Sequence, residues 1–390
     1  MGVISMAVGR KKAENKIKVS GVKSLSDLTD NVKYLRTGIG ELDFNIMGMP
    51  YGSIVQIAAK QGVGKTTFVV HIMVSCLRFV PQKKKVLFID FEGRLNLSMV
   101  RKLMKFYNIK NDRFDYYKPM DGQDGLAKME EAMRDDDYVL LAGDSLKSVI
   151  DEKDIGKKIT ENMGAMADQK LVANFLRKNL NEFATLPKVM IWIDHLKESK
   201  TMGQMYAKND TKSGTTVKFY ASLIMFMGRC GSVIKKTINC VEHKIWCPVS
   251  YNVEKSTVCP NVKVSDIPLY FGKGVSVYGY LLKTGIKYGF IENKPFKGKV
   301  EEKKTAVLLP DTTKKKKGAK KSTFHGRELT YINLEGKRCL IGTDASSRKA
   351  WCVKNNLTLL RELEDRCYKQ AFSDFKEQRD NPIDPDMEEF

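Results

Sequence analysis

A loop with two glycines lies between an apolar run and an amphipathic stretch. It reads Ala59-Lys60-Gln61-Gly62-Val63-Gly64-Lys65-Thr66-Thr67. Glycines let backbone N–H groups curl around phosphate oxygens, and the start of the following helix attracts the anion. A lysine and a hydroxyl at the end of such a loop contact the β- and γ-phosphates and Mg²⁺. The spacing therefore predicts a phosphate-binding loop in which Lys65 contacts phosphate and Thr66 ligates Mg²⁺, with Ala59 standing where the pattern usually has glycine.

Three further apolar runs are each followed by a polar side chain that could bind a metal ion, activate a water molecule or contact phosphate. One run ends at Asp144, which predicts a carboxylate that holds Mg²⁺ through water. A second is followed by Glu92, a carboxylate placed to polarise an attacking water. A third is followed by His195, where a side chain can contact the γ-phosphate. In open α/β sheets ligands collect at the carboxyl ends of strands, so these groups and the loop are expected to meet.

Apolar runs alternate with amphipathic segments of helix length through the middle of the chain. The runs are continuous, as in strands buried on both faces. They occupy residues 54–59, 86–91, 138–143, 189–193 and 223–227, and the amphipathic segments occupy 66–79, 97–107, 125–134 and 169–184. This order predicts an α/β fold with a doubly wound, mostly parallel sheet. Alternating strands at 249–253 and 262–264 predict an antiparallel extension of that sheet.

Composition divides the chain into five regions. Residues 1–36 carry eight Lys or Arg and three acids, which predicts a basic N-terminal arm or helix for oligomerisation. The α/β core is placed at 37–297, and a lysine-rich linker follows at 298–323. Residues 324–379 predict a small α+β C-terminal domain of two strands and two helices. The end, 380–390, is an acidic tail with five acids and no base.

The net charge favours a polyanionic partner. Sixty-seven basic against 46 acidic residues give +21, which points to nucleic acid before an anionic membrane surface, although a generally basic protein would show the same sum. An apolar share of 42% and a charged share of 29% exclude a wholly disordered or collagen-like chain. No run reaches the roughly 18 apolar residues of a membrane-spanning helix, and the N-terminus lacks the pattern of a secretory signal. We expect no membrane partner and a cytoplasmic location.

Eight cysteines are scattered through the chain, which favours reduced thiols. One group could supply zinc ligands and comprises Cys230, Cys240, His243, Cys247 and Cys259. It contains no CxxC pair, with which a zinc knuckle normally fixes two ligands at once. Buried thiols on apolar strands are therefore favoured, and a zinc site stays open.

Two polar segments follow predicted strands that end at the phosphate site. Residues 197–214 interleave four lysines with Met and Tyr, and a long unstructured stretch in a compact domain tends to be functional. Lysines neutralise phosphates, and apolar side chains can wedge between bases. Residues 151–160 have the same charged character. Both segments are interpreted as DNA contacts coupled to the nucleotide state, against the alternative of two solvated surface loops.

The order of these parts resembles the RecA/UvsX family of recombination ATPases. The likeness covers residues 34–293, with a looser match at 324–368. Besides the phosphate loop, the matching stretches are 37–43, 89–92, 143–145, 162–164, 193–195, 214–222, 252–255 and 271–279. The resemblance implies a RecA-like ATPase core and a homo-oligomeric, ATP- and Mg²⁺-dependent recombinase. It would form filaments on single-stranded DNA, pair the bound strand with homologous duplex DNA and exchange the strands. DNA would stimulate its hydrolysis of ATP. A loader or single-strand-binding protein would be a further partner.

The resemblance assigns roles residue by residue. Glu92 matches the water-activating glutamate, and His195 matches the γ-phosphate sensor of the UvsX branch, which favours a phage origin. Lys255 matches a lysine that reaches the ATP of the neighbouring subunit, and Phe219 a subunit-interface aromatic. The expected DNA contacts are Met163, Gly164, Arg177, Lys197, Lys200, Met202, Tyr206, Lys208, Lys212 and Gly214.

Three positions depart from the family, and two alternatives stay open. Ala59 stands where the family has a glycine, Met99 where it has a tyrosine that stacks on adenine, and Val253 where it has a second lysine that acts in trans. Nucleotide affinity and the rate of hydrolysis therefore need not follow the family. A single-strand-coating protein without turnover is therefore one alternative. A hexameric helicase on the same core is the other, although no clear arginine finger is present. The lysine-rich linker could gather duplex DNA or serve as a solvated tether.

Overall fold

The computed structural model describes most of the chain between residues 32 and 380. The described residues are 32–149, 167–199, 208–211, 215–238, 241–257, 259, 261–295, 327–342, 344–355 and 358–380. The predicted N-terminal arm up to residue 31, the linker at 298–323 and the tail from residue 381 lie outside them. The division of the chain into five regions therefore stays a prediction.

A large mixed sheet forms the centre of the fold, preceded by a short antiparallel pair, β1 (Tyr34–Leu35) and β2 (Met49–Pro50). The parallel strands are β3 (Ser53–Ala59), β4 (Lys85–Asp90), β5 (Phe114–Tyr117), β6 (Tyr138–Asp144), β7 (Val189–Ser199) and β9 (Leu223–Arg229). The antiparallel strands are β8 (Lys208–Thr211), β10 (Ile234–Ile238), β11 (Val241–Ser256), β12 (Lys263–Tyr270) and β13 (Gly274–Val275). The spatial order is β13-β12-β11-β9-β3-β7-β6-β4-β5, with β10 on β11 and β8 on β7. This confirms the predicted α/β fold and its antiparallel extension.

Helices cover both faces of the sheet. They are α1 (Gly40–Ile46), α2 (Lys65–Cys76), α3 (Leu97–Phe106), α4 (Gly122–Arg134), α5 (Ala167–Phe183) and α6 (Thr215–Tyr220). Alternate residues of β7 enter two different buried clusters: Ile191 and Ile193 pack with α2 and α3, whereas Met190 and Trp192 pack with α4 and α5. Burial on both faces explains why the strand sequences are continuously apolar.

A smaller antiparallel sheet belongs to the C-terminal part of the chain. It consists of β14 (Ile291–Pro295), β15 (Arg327–Ile332) and β16 (Arg338–Gly342), packed with α7 (Tyr278–Lys287), α8 (Ala345–Lys354) and α9 (Leu359–Asp380). Its first strand precedes the linker and lies within the range 37–297 predicted for the core. Ile291 pairs with Tyr331 across the sheet, and both are buried, so the strand is held by this small core.

Helix α9 packs against the large core through charged and aromatic side chains. The Arg78 guanidinium lies 4.7 Å from the centre of the Tyr107 ring and forms a buried ion pair with Glu364 of α9. Arg36 lies between the Phe79 and Tyr368 rings, 3.9 and 4.3 Å from their centres. Within the described ranges, no helix is both long enough and apolar enough to cross a membrane.

Candidate functional site

The loop between β3 and α2 has the backbone that phosphate binding needs. Gly62 and Gly64 have φ of 76° and 106°, in the left-handed region that favours glycine. Helix α2 begins at Lys65 directly after Gly64, so its first N–H groups lack intrahelical partners and face the loop. Ala59 is the last residue of β3 and is fully buried. The backbone at this position is therefore that of an extended strand, which alanine adopts without strain.

The remaining loop residues differ in how far they are exposed to solvent. Lys60 and Gln61 are exposed, Val63 is buried, and Thr67 is half-buried in the first turn of α2. A side chain at Gly64 would place its Cβ 2.2 Å from Leu269 Cδ2 of β12. The antiparallel extension thus packs directly against the loop and fixes its path.

Strand register brings the polar residues to one edge of the sheet. Ala59 of β3 pairs with His195 of β7, and Asp90 of β4 pairs with Asp144 of β6. Because β6 also pairs with β7 in parallel, the carboxyl ends of β3, β4 and β6 lie at the same edge as His195, beyond which β7 continues to Ser199. The carboxyl ends of these strands therefore form the crevice in which ligands of open α/β sheets bind.

Thr66 and Asp144 lie side by side in this crevice. The Thr66 hydroxyl donates to Asp144 Oδ2 at 2.5 Å. Burial raises the pKa of the Asp144 carboxyl to about 6; the Thr66 hydrogen bond opposes this rise, and the Glu92 and Asp90 charges add to it. A cation at this point would favour the ionised carboxylate. Mg²⁺ is normally held by one or two oxygen ligands of the protein together with phosphate and water, so this pair fits it.

Lys65 and Glu92 are joined through one imidazole. His195 Nε2 lies 3.3 Å from Glu92 Oε1, and His195 Nδ1 lies 3.4 Å from Lys65 Nζ. An ionised carboxylate can only accept and an ammonium can only donate, so the network assigns the proton to Nε2 and the lone pair to Nδ1. Lys65 Nζ also donates to the backbone oxygens of Ala59 and Lys60, at 3.3 and 3.4 Å.

Glu92 is held as a carboxylate. Partial burial favours the neutral form of its carboxyl, but hydrogen bonds from Ser145 and His195 outweigh this effect and lower its pKa below the ordinary value of 4.5. Ser145 Oγ donates to Glu92 Oε1 at 2.7 Å. Glu92 is therefore ionised at neutral pH and is able to take a proton from water.

Lys255 is not brought to this cluster within the described part of the chain. Its ammonium donates to the carbonyl oxygens of Lys218 and Phe219, at 3.0 and 3.1 Å, at the end of α6. Phe219 itself is 78% exposed. The assigned roles of Lys255 and Phe219 at a subunit boundary stay predictions.

Most of the predicted DNA contacts lie outside the described residues. Those outside are Met163, Gly164, Lys200, Met202, Tyr206, Lys212 and Gly214. Arg177 is exposed on α5, while Lys197 and Lys208 lie on β7 and β8. The prediction that 197–214 is wholly unstructured is wrong, because β7 continues to Ser199 and pairs with β8. In the register of these two strands Lys197 stands opposite Asp210.

Several contacts of the site were missed by sequence reasoning. Arg229, at the end of β9, donates to the Gly62 carbonyl oxygen. Asp194 Oδ2 accepts from Gln56, and its Oδ1 accepts from the backbone N–H of His195 at 2.6 Å. Ser145 Oγ lies 2.7 Å and Ser148 Oγ 3.5 Å from Glu92 Oε1. Only Ser145 and Asp194 carried a signal in the sequence, since each adjoins a residue already assigned.

The remaining sequence hypotheses concern Met99 and the cysteine group. Met99 is buried, with 3% exposure, and belongs to the core cluster that contains α2 and α3. Cys247 is buried, Cys259 is half-buried and Cys230 is exposed, while Cys240 lies outside the described residues. In the portion of the chain that is described, no group of three or more His, Cys, Asp or Glu side chains could hold a metal ion.

Comparison with known proteins gives the family. A sequence profile of the RecA N-terminal domain matches residues 5–276. Protein RecA of Paramagnetospirillum magneticum is 26% identical over 272 residues, which cover 68% of this chain and 71% of that protein. Protein RecA of Clostridium botulinum is 28% identical over 281 residues, 70% of this chain and 74% of that protein. Since the profile spans well over half of the chain and the strand-edge site contains the expected groups, the chain belongs to the RecA family.

Proposed function

We propose that this protein is an ATP-dependent DNA recombinase that assembles on single-stranded DNA and promotes homologous pairing and strand exchange. The observation that carries the proposal is the convergence of Lys65, Thr66, Asp144, Glu92 and His195 at one edge of the sheet. These groups would supply a phosphate-binding ammonium, two oxygen ligands for Mg²⁺, a general base and an imidazole that links the base to the ammonium. The net charge of +21 supports a nucleic-acid partner.

The triphosphate would lie on the loop and the first turn of α2. Backbone N–H groups there would bind its oxygens, and Lys65 would exchange its carbonyl partners for the β- and γ-phosphates. Mg²⁺, held by Thr66 and through water by Asp144, would neutralise charge on the β- and γ-phosphate oxygens. Arg229, which holds the Gly62 carbonyl oxygen, would keep the loop open around the phosphates.

Glu92 would act as the general base. Its carboxylate takes a proton from water, the water oxygen bonds to the γ-phosphorus, and the bond from that phosphorus to the β–γ bridging oxygen breaks. The products are ADP and inorganic phosphate, and the proton is then released from Glu92 to solvent. His195 would sense the γ-phosphate. When Lys65 moves to the phosphates, His195 Nδ1 loses the ammonium that faces it in the structure.

The coupling of hydrolysis to DNA would use the boundary between subunits. Lys255 would reach the ATP of the neighbouring protomer, and Phe219, which is 78% exposed, would pack against that protomer. The segments 151–164 and 197–214 would bind the single strand. A ligand between protomers that binds one state of the polymer better shifts the whole polymer toward that state.

The decisive experiment replaces the base. Glu92→Gln should keep ATP binding and lower turnover on single-stranded DNA by about 10²- to 10⁴-fold, the usual contribution of a general base. Glu335→Gln, in an exposed turn, is the matched control. Turnover of Glu92→Gln equal to that of the control would remove Glu92 from the mechanism.

Electron microscopy separates the whole-protein alternatives. With single-stranded DNA and a non-hydrolysable ATP analogue, a recombinase should form helical filaments that capture homologous duplex DNA. Closed rings that unwind a forked duplex without pairing would favour the helicase. Coated strands combined with no ATP turnover would favour the coating protein.

A further inference from the structure

Two serine hydroxyls lie against the Glu92 carboxylate. Ser145 Oγ is 2.7 Å from Glu92 Oε1, and Ser148 Oγ is 3.2 Å from Ser145 Oγ and 3.5 Å from Glu92 Oε1. Ser145 follows β6 and is completely buried. Ser148 ends a 3₁₀ turn, Leu146–Ser148, and its N–H donates to the Ser145 carbonyl oxygen at 2.9 Å. The turn therefore holds both hydroxyls on the same side as Glu92.

The direction of these hydrogen bonds follows from the charge of Glu92. An ionised carboxylate can only accept, so Ser145 donates its single hydroxyl proton to Oε1. The Ser145 oxygen keeps its lone pairs and accepts from Ser148. The direct contact of 3.5 Å from Ser148 to Glu92 is at the limit for a hydrogen bond. Ser148 therefore acts on Glu92 through Ser145, in a short relay whose members polarise one another.

The relay distinguishes the two oxygens of the carboxylate. Oε1 accepts from Ser145 and, at 3.3 Å, from His195 Nε2. Each carboxylate oxygen has about two lone-pair positions, so these two donors occupy Oε1. Oε2 has its charged neighbour, Arg94, 3.7 Å away, and that arginine is 76% exposed. Oε2 is therefore the oxygen with room to accept from a water molecule.

We propose that Ser145 and Ser148 are positioning residues that fix Glu92 Oε1, so that Oε2 faces and deprotonates the attacking water. This inference rests on the proposed role of Glu92 as the general base. Without the relay, Oε1 keeps only its longer contact with His195 Nε2, at 3.3 Å, and the carboxylate can rotate more freely about its last torsion, which is broad. The base then spends part of its time with the wrong oxygen toward the water, and kcat falls while the phosphate contacts that set ATP affinity are unchanged.

The test measures kcat and KM for ATP on saturating single-stranded DNA. Because a hydrogen bond to a charged group is stronger than one between neutral groups, Ser145→Ala should lower kcat by about 10- to 100-fold and change KM less than about twofold. Ser148→Ala should lower kcat by a smaller factor, and Ser148→Thr, which keeps the hydroxyl, should restore it. Thr185→Ala, which removes an exposed hydroxyl just before β7, is the control and should match the wild type.

A double-mutant cycle tests the relay itself. Because Ser148 acts through Ser145, Ser148→Ala should have no further effect on kcat in the Ser145→Ala background. Additive losses would overturn the relay. Equal kcat for Ser148→Ala, Ser148→Thr and the wild type would also overturn it, and this comparison decides even where Ser145→Ala does not fold. In either case the role of Glu92 stands if Glu92→Gln lowers turnover as proposed above. Failure of this inference and failure of the proposed function are therefore distinguishable.

Discussion

Glu41 gives the core a pH-dependent weakness that one substitution should remove. This residue of α1 is 3% exposed, and its Oε2 accepts no hydrogen bond within the described residues. Burial raises the pKa of its carboxyl to about 8 from an ordinary 4.5, and its own backbone N–H and the Lys283 charge offset this only in part. Glu41→Gln keeps the shape of the side chain and cannot ionise.

The magnitude follows from proton linkage. Between pH 4.5 and about 8 the unfolded chain releases the Glu41 proton while the folded chain keeps it, so the unfolded state binds fewer protons. The free energy of unfolding therefore falls as pH rises through this window and is level above it. At about 1.4 kcal/mol for each pH unit, the loss is on the order of 5 kcal/mol. The Glu41→Gln variant has no proton to lose at this position, so its free energy of unfolding does not fall for this reason.

Urea unfolding at pH 5 and pH 8.5 measures the effect. The gain in unfolding free energy of Glu41→Gln over the wild type should be several kcal/mol larger at pH 8.5 than at pH 5. Asp43, whose pKa burial raises to about 6, titrates in both proteins and cancels in the comparison. Glu335→Gln, in an exposed turn, should show no such change. An equal gain for Glu41→Gln at both pH values would refute this reasoning.

Two other substitutions test the loop and the attachment of α9. Gly64→Ala should abolish ATP binding measured by calorimetry, because φ of 106° is strained for alanine. The control, Gly279→Ala on α7, should bind ATP normally, because a Cβ there meets nothing within 4 Å. Retained binding by Gly64→Ala would contradict the assigned loop. Glu364→Ala leaves the buried Arg78 unpaired and should lower the unfolding free energy by about 3–5 kcal/mol in urea titrations. A change below about 1 kcal/mol, the range of exposed pairs, would show that the pair does not hold α9.

Sequence patterns were enough to predict the sheet and the main groups of the site. Continuous apolar runs can bury both faces only in a parallel sheet covered by helices, and the carboxyl ends of such strands must meet. The positions of Lys65, Thr66, Asp144, Glu92 and His195 relative to those runs were therefore enough to predict that they converge. The small side chain at Ala59 was compatible with this fold because the strand is extended there.

The contacts between individual atoms of the site depend on how distant segments of the chain pair and pack. Glu92 and His195 are 103 positions apart, and only the register of β3, β4, β6 and β7 sets the imidazole between Lys65 and Glu92. The same holds for the serine relay on Glu92 and for the contact of Arg229 with Gly62. It also holds for β14, which pairs with strands beyond the linker. Local patterns fix which face of an element is buried, but contacts between distant segments depend on how those elements pair and pack.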